Sequence, residues 1–191
     1  MTNNTTNQEF FEAKYQESND PWAFASSDYE QNRYSEILRA LDHRRYSRAF
    51  EPGCSIGILT VRLASICEYV DAIDISPTAV RQARQRCAHL SNVSICCGSL
   101  PNDVPAGTFD LVLLSEIGYY FGRQELLQVG SQVVGHLEPS GVLLAVHWLG
   151  HSADHQIDGD SVHEILNHLD GLTLEYSERH VGFRIDRWVR G

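Results

Sequence analysis

A chain of 191 residues with 42% hydrophobic and 21% charged side chains has the length and composition of one folded domain with a single core. A formal net charge of −10 sets aside a nucleic-acid partner, which needs Lys and Arg clustered on one face, and suits a cationic or neutral small-molecule acceptor. No apolar run reaches membrane-spanning length, and residues 1–8 carry neither a basic nor an apolar stretch, so the sequence predicts no membrane partner, no signal peptide and a cytoplasmic protein.

In chain order, residues 1–8 are polar and predicted to be disordered, and 9–18 form a short helix that ends at Asn19-Asp20-Pro21. Tyr29, Tyr34, Ile37, Leu38 and Leu41 recur at near-helical spacing and predict an amphipathic helix over 27–41. Residues 1–45 thus make an N-terminal helical lid segment on a main domain, 46–191, within one compact unit. From there short apolar runs alternate with helical stretches, the signature of strand-helix-strand units and a mainly parallel sheet. Strands are expected at 47–51, 69–74, 93–97, 109–114 and 142–146, with helices at 56–67, from Ser76, at 123–137 and at 158–169. The apolar run 109–114 reads as a strand buried on both faces, at the centre of the sheet. Ser76 caps its helix and Pro77 occupies its first turn, where the missing N–H costs nothing. Pro139-Ser140-Gly141 reads as a turn, and 172–176 with 183–189 as an antiparallel hairpin at the sheet edge. The architecture predicted is α/β, doubly wound around seven strands.

Cys54, Cys67, Cys87, Cys96 and Cys97 are odd in number and scattered, so they read as reduced thiols and small buried side chains. Neighbouring Cys96 and Cys97 would point to opposite faces of a strand, which argues against zinc. His147, His151 and His155, with Asp154, Asp158 and His163 nearby, would share a helical face and suggest a metal. Gly150 and the polar run 152–154 break that helix, so the segment is expected to be a substrate-side loop, and no metal is expected.

The chemistry centres on the turn Glu51-Pro52-Gly53-Cys54-Ser55-Ile56-Gly57, which joins the first strand of the sheet to a helix. In a doubly wound sheet, ligands bind beyond the carboxyl ends of the strands where strand order reverses. Gly53 and Gly57 let the backbone bend and a ligand approach, although a tight bend alone would account for them. Asp74 ends the second strand at the interval where an acidic side chain reaches ribose hydroxyls; capping the next helix is its alternative role. A dinucleotide fingerprint would place glycine at 55 and 58, where Ser55 and Ile58 stand. Glu51 would repel a pyrophosphate but can bind the cationic amino group of a methionine moiety. Charge complementarity therefore selects S-adenosylmethionine over a nicotinamide cofactor.

The turn EPGCSIG, the strand end VDAIDIS, the stretch FDLVLLSEIGYYF and the later LEPSGVLLAVHW together resemble the ordered motifs of class I S-adenosylmethionine-dependent methyltransferases, over residues 49–148. With the upstream segment NDPWAFASSDYEQNRYSEIL, they are similar to the nodulation protein S group, which N-methylates the free amine of a deacetylated chitooligosaccharide. The resemblance implies a Rossmann-like fold, S-adenosylmethionine as cofactor and S-adenosylhomocysteine as product. It places Gly53, Ser55 and Gly57 at the methionine portion, counts Cys54 with Glu51 among the cofactor-binding residues of the turn, and sets Asp74 and Ile75 at the ribose and adenine, and Gly98, Ser99 and Leu100 along the adenine edge. It sets Ser115 below the transferred group, with Trp22 and Arg33 closing the site. Arg33 fits the cofactor carboxylate equally with being an ordinary surface Arg. Ser99 departs from the pattern, since many such enzymes carry Asp there.

Methyl transfer from a sulfonium needs alignment rather than a nucleophilic side chain. An amine acceptor must first lose a proton, and Glu116 and His147, both at strand ends, are the candidate bases; capping and simple strand-end roles are the alternatives. Tyr119 and Tyr120, with Phe121, are candidates to stack on an aminosugar oligomer or to form an apolar rim. An O- or carboxyl-directed transferase and a silent cofactor-binding module are the competing readings. Oligomeric state leaves no trace in the sequence.

Overall fold

A computed structural model of the chain describes residues 7–42 and 44–191, so the expected disorder at residues 1–6 lies outside the described residues. Two helices, α1 (Gln8–Glu17) and α2 (Asp28–Ala40), precede the sheet. Asn7 caps α1 by accepting from the Phe10 amide at 3.0 Å, so residues 7 and 8 are ordered by a helix start rather than disordered.

The remaining elements follow as β1 (Tyr46–Pro52), α3 (Ile58–Leu63), β2 (Cys67–Asp74), α4 (Pro77–Arg86), β3 (Val93–Cys97) and β4 (Phe109–Ser115). A 3-10 turn (Gly118–Tyr120) then leads to α5 (Arg123–His136), β5 (Leu137–Trp148), α6 (Gly159–Leu166), β6 (Leu172–Arg179) and β7 (Phe183–Arg190). The seven strands form one sheet in the order β3-β2-β1-β4-β5-β7-β6. The first five pair in parallel, and β7 runs antiparallel between β5 and β6. β4 takes the central position that its apolar run predicts, with Leu111, Val112, Leu113 and Leu114 all at most 1% exposed. Burying each such side chain contributes roughly 1.5–3 kcal/mol.

Alternate residues of each strand supply two cores. Phe50, Val112, Leu114 and Leu143 face α5 and α6, while Ala49, Leu111, Leu113 and Leu144 face α2 and α3. α4 seals the second face over Ala72 and Ile95 through Val80 and Ala83. Ser76 caps α4 as its sequence predicts, accepting from the Ala79 amide at 3.1 Å.

Three expectations are corrected. α3 stops at Leu63 rather than 67, because Cys67 already pairs with Tyr46 as the first rung of β2. The turn at Pro139-Ser140-Gly141 is absorbed into β5 as an irregularity, with Ser140 at φ 62° and a register shift opposite Phe109 to Leu111. Cys96 and Cys97 are exposed, not buried, because β3 is an edge strand. Among the described residues no helix is long and apolar enough to cross a membrane.

α1 docks across the start of α4. Its Glu12 carboxylate accepts from Ser76 Oγ (2.6 Å), the Thr78 amide (3.0 Å) and Thr78 Oγ1 (2.5 Å), satisfying donors at that helix start. Tyr15 packs on Ile56 and Ala79, and its hydroxyl donates to Ser55 Oγ. The hydrogen bonds from Ser76 and Thr78 hold the Glu12 carboxyl down at about 2. A depressed carboxyl stabilises docking in full above its ordinary 4.5 and loses that contribution as pH falls towards 2. Charged hydrogen bonds contribute about 1.5–3 kcal/mol each, so Glu12→Ala should speed tryptic cleavage after exposed Lys14 by on the order of tenfold or more at neutral pH. The thermal midpoint of the sheet domain should barely move; an unchanged cleavage rate would show that Glu12 does not hold the helix down.

Candidate active site

Strand order reverses between β1 and β4, and a cavity of about 640 Å³ opens at their carboxyl ends. Its floor is the turn from Glu51 to Ile56, with Ser115 to Ile117 beyond β4. α1, α2 and the segment between them form its roof through Phe11, Tyr15, Trp22 and Arg33. Trp22 is fixed there by ring contacts with Tyr15 (5.4 Å) and Phe24 (5.7 Å). Asp74, Ile75, Gly98, Ser99 and Leu100 line one end, and Tyr119, Tyr120, Trp148, Asp154 and His155 the other.

The turn is shaped from β2. The amides of Gly53 and Cys54 both donate to the Ile73 carbonyl (2.7 and 2.9 Å), and the two Asp74 oxygens accept from the Ser55 and Ser76 amides (2.8 and 2.9 Å). Asp74 therefore fixes the turn from the cavity wall, while Ser76 does the capping. Gly53 has φ 76°, and a Cβ there would fall 2.3 Å from Ile117 Cγ2. Gly57, at φ 80°, does not line the cavity; a Cβ there would press on the Ala83 backbone at 3.1 Å. The placement of Gly57 against a ligand is thereby corrected, because its bareness serves the packing of α4. Gly98 is similarly crowded by Asp103, whose carboxylate takes the Ser99 amide at 2.9 Å.

Electrostatically the floor is acidic. Glu51 is 3% exposed, its Oε2 has no hydrogen-bond partner, and burial with Asp74 nearby pushes its carboxyl up to about 8. Burial likewise pushes Asp74 up to about 6. On the roof, buried Arg33 pairs with Glu30 and, at 3.0 Å, with Glu116, yet its Nε is left without a partner. An unpartnered carboxylate oxygen and an unpartnered guanidinium N–H in one cavity match the ammonium and carboxylate of a free amino acid moiety. Burial raises Glu30 to about 7, with Arg33 opposing. Glu30 lay outside the sequence reading, although its three-residue spacing from Arg33 on a helix was a signal that the two would meet.

Glu116 joins roof to sheet. It sits at φ 61°, a conformation costing about 1–3 kcal/mol for a non-glycine residue. In return its Oε1 accepts from the Trp148 amide (2.8 Å) and faces Arg33, and its Oε2 accepts from the Tyr119 hydroxyl (2.6 Å). The structure thus brings Glu116 to the cavity with both oxygens committed.

His147 is not brought there. It is fully buried, does not line the cavity, and its Nε2 accepts from the Gly118 amide at 3.0 Å. Its Nδ1 meets His163 Nε2 (3.2 Å), and His163 Nδ1 meets Asp186 (2.9 Å). Burial holds His147 well below the usual imidazole range, so it is a neutral member of a sealed chain and its candidacy as the base is withdrawn. What reaches the cavity instead is His155, whose ring stacks on Tyr119 at 3.7 Å. Tyr120 contacts Phe11 of α1 edge-on at 4.9 Å, and both tyrosines line the cavity. Among the described residues no group of three His, Cys, Asp or Glu is gathered as a metal would require.

The family model described as nodulation protein S (NodS) matches residues 4–154. Nodulation protein S of Sinorhizobium fredii (strain NGR234) is 31% identical over 124 residues, 64% of this chain and 57% of that one. The Bradyrhizobium diazoefficiens protein of the same name is 34% identical over 104 residues, 53% of this chain and 49% of that one. The chain spans about half the length of the curated relatives it matches. In fold it is similar to N-methyltransferase NodS from Bradyrhizobium japonicum WM9, solved in complex with S-adenosylhomocysteine, with a TM-score of 0.84, 23% identity and coverage of 97% of this chain and 99% of that one. With well over half of its length matched by the family model, the chain belongs to the nodulation protein S (NodS) family.

Proposed function

We propose that this chain is an S-adenosylmethionine-dependent N-methyltransferase whose acceptor is a small amine, such as the free amino group of a deacetylated chitooligosaccharide. The observation that carries this reading is the unpartnered Glu51 carboxylate oxygen at the glycine turn, which suits the ammonium of the cofactor's methionine moiety. Arg33 Nε would take its carboxylate, the Asp74–Ile75 wall its ribose and adenine, and Gly98 to Leu100 the adenine edge. Bound S-adenosylmethionine supplies an electrophilic methyl group on a good leaving group. The chain has then to align the acceptor and exclude water, and the roof of α1 and α2 does so as a lid. Nodulation protein S relatives and the Glu116 and Asp154 carboxylates in the lining support an amine over a carboxylate acceptor, which that acidity would disfavour. Exposed, unpaired Cys96 and Cys97 fit a reducing cytoplasm.

A carboxyl raised to about 8 destabilises the ligand-free fold progressively as pH climbs from 4.5 to 8, and an ammonium beside it reverses that effect. Calorimetric titration with S-adenosylhomocysteine at pH 7, in buffers of different ionisation enthalpy, should therefore show release of close to about one proton. Glu51→Gln should release none and bind at least roughly tenfold more weakly, while gaining stability at pH 8. Equal proton release by both proteins would sink the pairing of Glu51 with the ammonium.

Assays that follow S-adenosylhomocysteine formation should show turnover with chitosan oligomers and little with phenolic or carboxylate acceptors. Preference for a phenol would move the reading to an O-methyltransferase. No turnover with any acceptor, despite cofactor binding, would leave a silent binding module.

A further inference from the structure

We propose that His155 is the catalytic base that frees the acceptor amine, an assignment that rests on the amine-methyltransferase reading above. An amine flanked by electron-withdrawing groups titrates near about 8, so at neutral pH it arrives mostly as an ammonium whose nitrogen has no lone pair to give. Some group at the acceptor end has to take that proton.

Most candidates there are already committed. Both Glu116 oxygens are held by Trp148, Arg33 and Tyr119. His147 is sealed behind the Gly118 amide, Asp154 accepts from Ser152, and Glu30 is paired with Arg33. Burial pushes the Tyr119 and Tyr120 phenols upward, away from useful basicity.

His155 differs from all of these. Its ring is clamped in an aromatic box, stacked on Tyr119 (3.7 Å, 15°) and met edge-on by Tyr120 (5.4 Å) and Trp148 (6.1 Å). The loop that carries it is strapped to the 3-10 turn, since the Gln156 amide donates to the Tyr119 carbonyl at 2.8 Å. Nδ1 is buried without a partner, so Nε2 is the ring nitrogen with access to the cavity that His155 lines. Tyr120, Trp148 and the Asp154 carboxylate line the same cavity and would receive an ammonium beside the ring.

With its own proton on Nδ1, His155 takes one ammonium proton on Nε2. The amine lone pair then bonds to the methyl carbon as the carbon–sulfur bond breaks and its electron pair stays on sulfur. The methylated ammonium leaves, and the imidazolium returns its proton to solvent. Burial lowers His155 below the usual range, keeping it neutral and receptive near pH 7. Asp154 beside it and Glu116 from the end of β4 favour its charged form; His151 on the same loop opposes it, and Tyr119, Tyr120 and His147 facing it are neutral.

The test compares kcat/KM for D-glucosamine across pH 5.5 to 9.5 in wild type, His155→Phe, which keeps the stack, and His155→Ala. The expected loss in His155→Phe is on the order of 100-fold at pH 6.5, shrinking to a few fold at pH 9.5, where the amine is already free. KM for S-adenosylmethionine should hold steady, and added imidazole should rescue His155→Ala. Independently of turnover, the His155 Nε2 resonance should shift when glucosamine joins the S-adenosylhomocysteine complex, as the neutral ring accepts a hydrogen bond from the ammonium. A loss equal at every pH, no loss at all, or an unmoved resonance would overturn the assignment. Wild-type protein that binds S-adenosylhomocysteine but methylates no amine would overturn the amine reading itself, and this base with it.

Discussion

Arg33 and Glu116 form the ion pair on which the site's geometry depends. One residue lies on α2, the other just past β4, and both are largely shielded from water. Burying such a pair is costly unless the remaining donors and acceptors are met. Here Glu116 satisfies the Trp148 amide and the Tyr119 hydroxyl, and Arg33 also binds Glu30. A strained φ at Glu116 is tolerated because these partners come from β5, the 3-10 turn and α2 at once. Arg33 Nε is the donor of this pair left without a partner among the described residues.

Charge explains why the lid belongs to the site. Glu30, Glu51, Asp74 and Glu116 meet a single Arg33 in the cavity, so the protein alone leaves an excess of negative charge there. Burial answers by raising the carboxyls of Glu51, Asp74 and Glu30. A cationic ligand would relieve that imbalance through the same groups. Glu12 contributes separately, anchoring α1 to α4 by hydrogen bonds that need no ligand.

The fold was readable where one local rule dominates. The run 109–114 had no polar face to offer, so it had to be a buried strand, and Ser76-Pro77 could only open a helix. Boundaries set by pairing were not readable: Cys67 looks helical until Tyr46 claims it as a strand partner. The same limit governs the site. Glu51 and Asp74 stood out by their charge and spacing around a glycine turn and Arg33 only through the resemblance, whereas Gly57 looked like a ligand contact until Ala83 of α4 was seen against it. Cys96 and Cys97 looked buried because an edge strand is indistinguishable from a central one by composition.

Histidine shows the same limit most sharply. His147 and His155 stand eight residues apart in one polar stretch, and the strand end made His147 the better candidate. Its fate is decided by His163 and Asp186, which come from α6 and β7 and close a neutral chain ending on the Gly118 amide. A Cβ at Gly118 would fall 2.5 Å from Val162 Cγ1 and 2.8 Å from His147 Nε2, and the Gly118 amide bonded to that nitrogen ties the turn that carries Tyr119 to the chain. Tyr119 in turn gives Glu116 its hydrogen bond and His155 its stacking surface. The buried histidine therefore acts at a distance: through the Gly118 amide it supports the turn that carries Tyr119, and so the shape of a cavity wall it does not itself line.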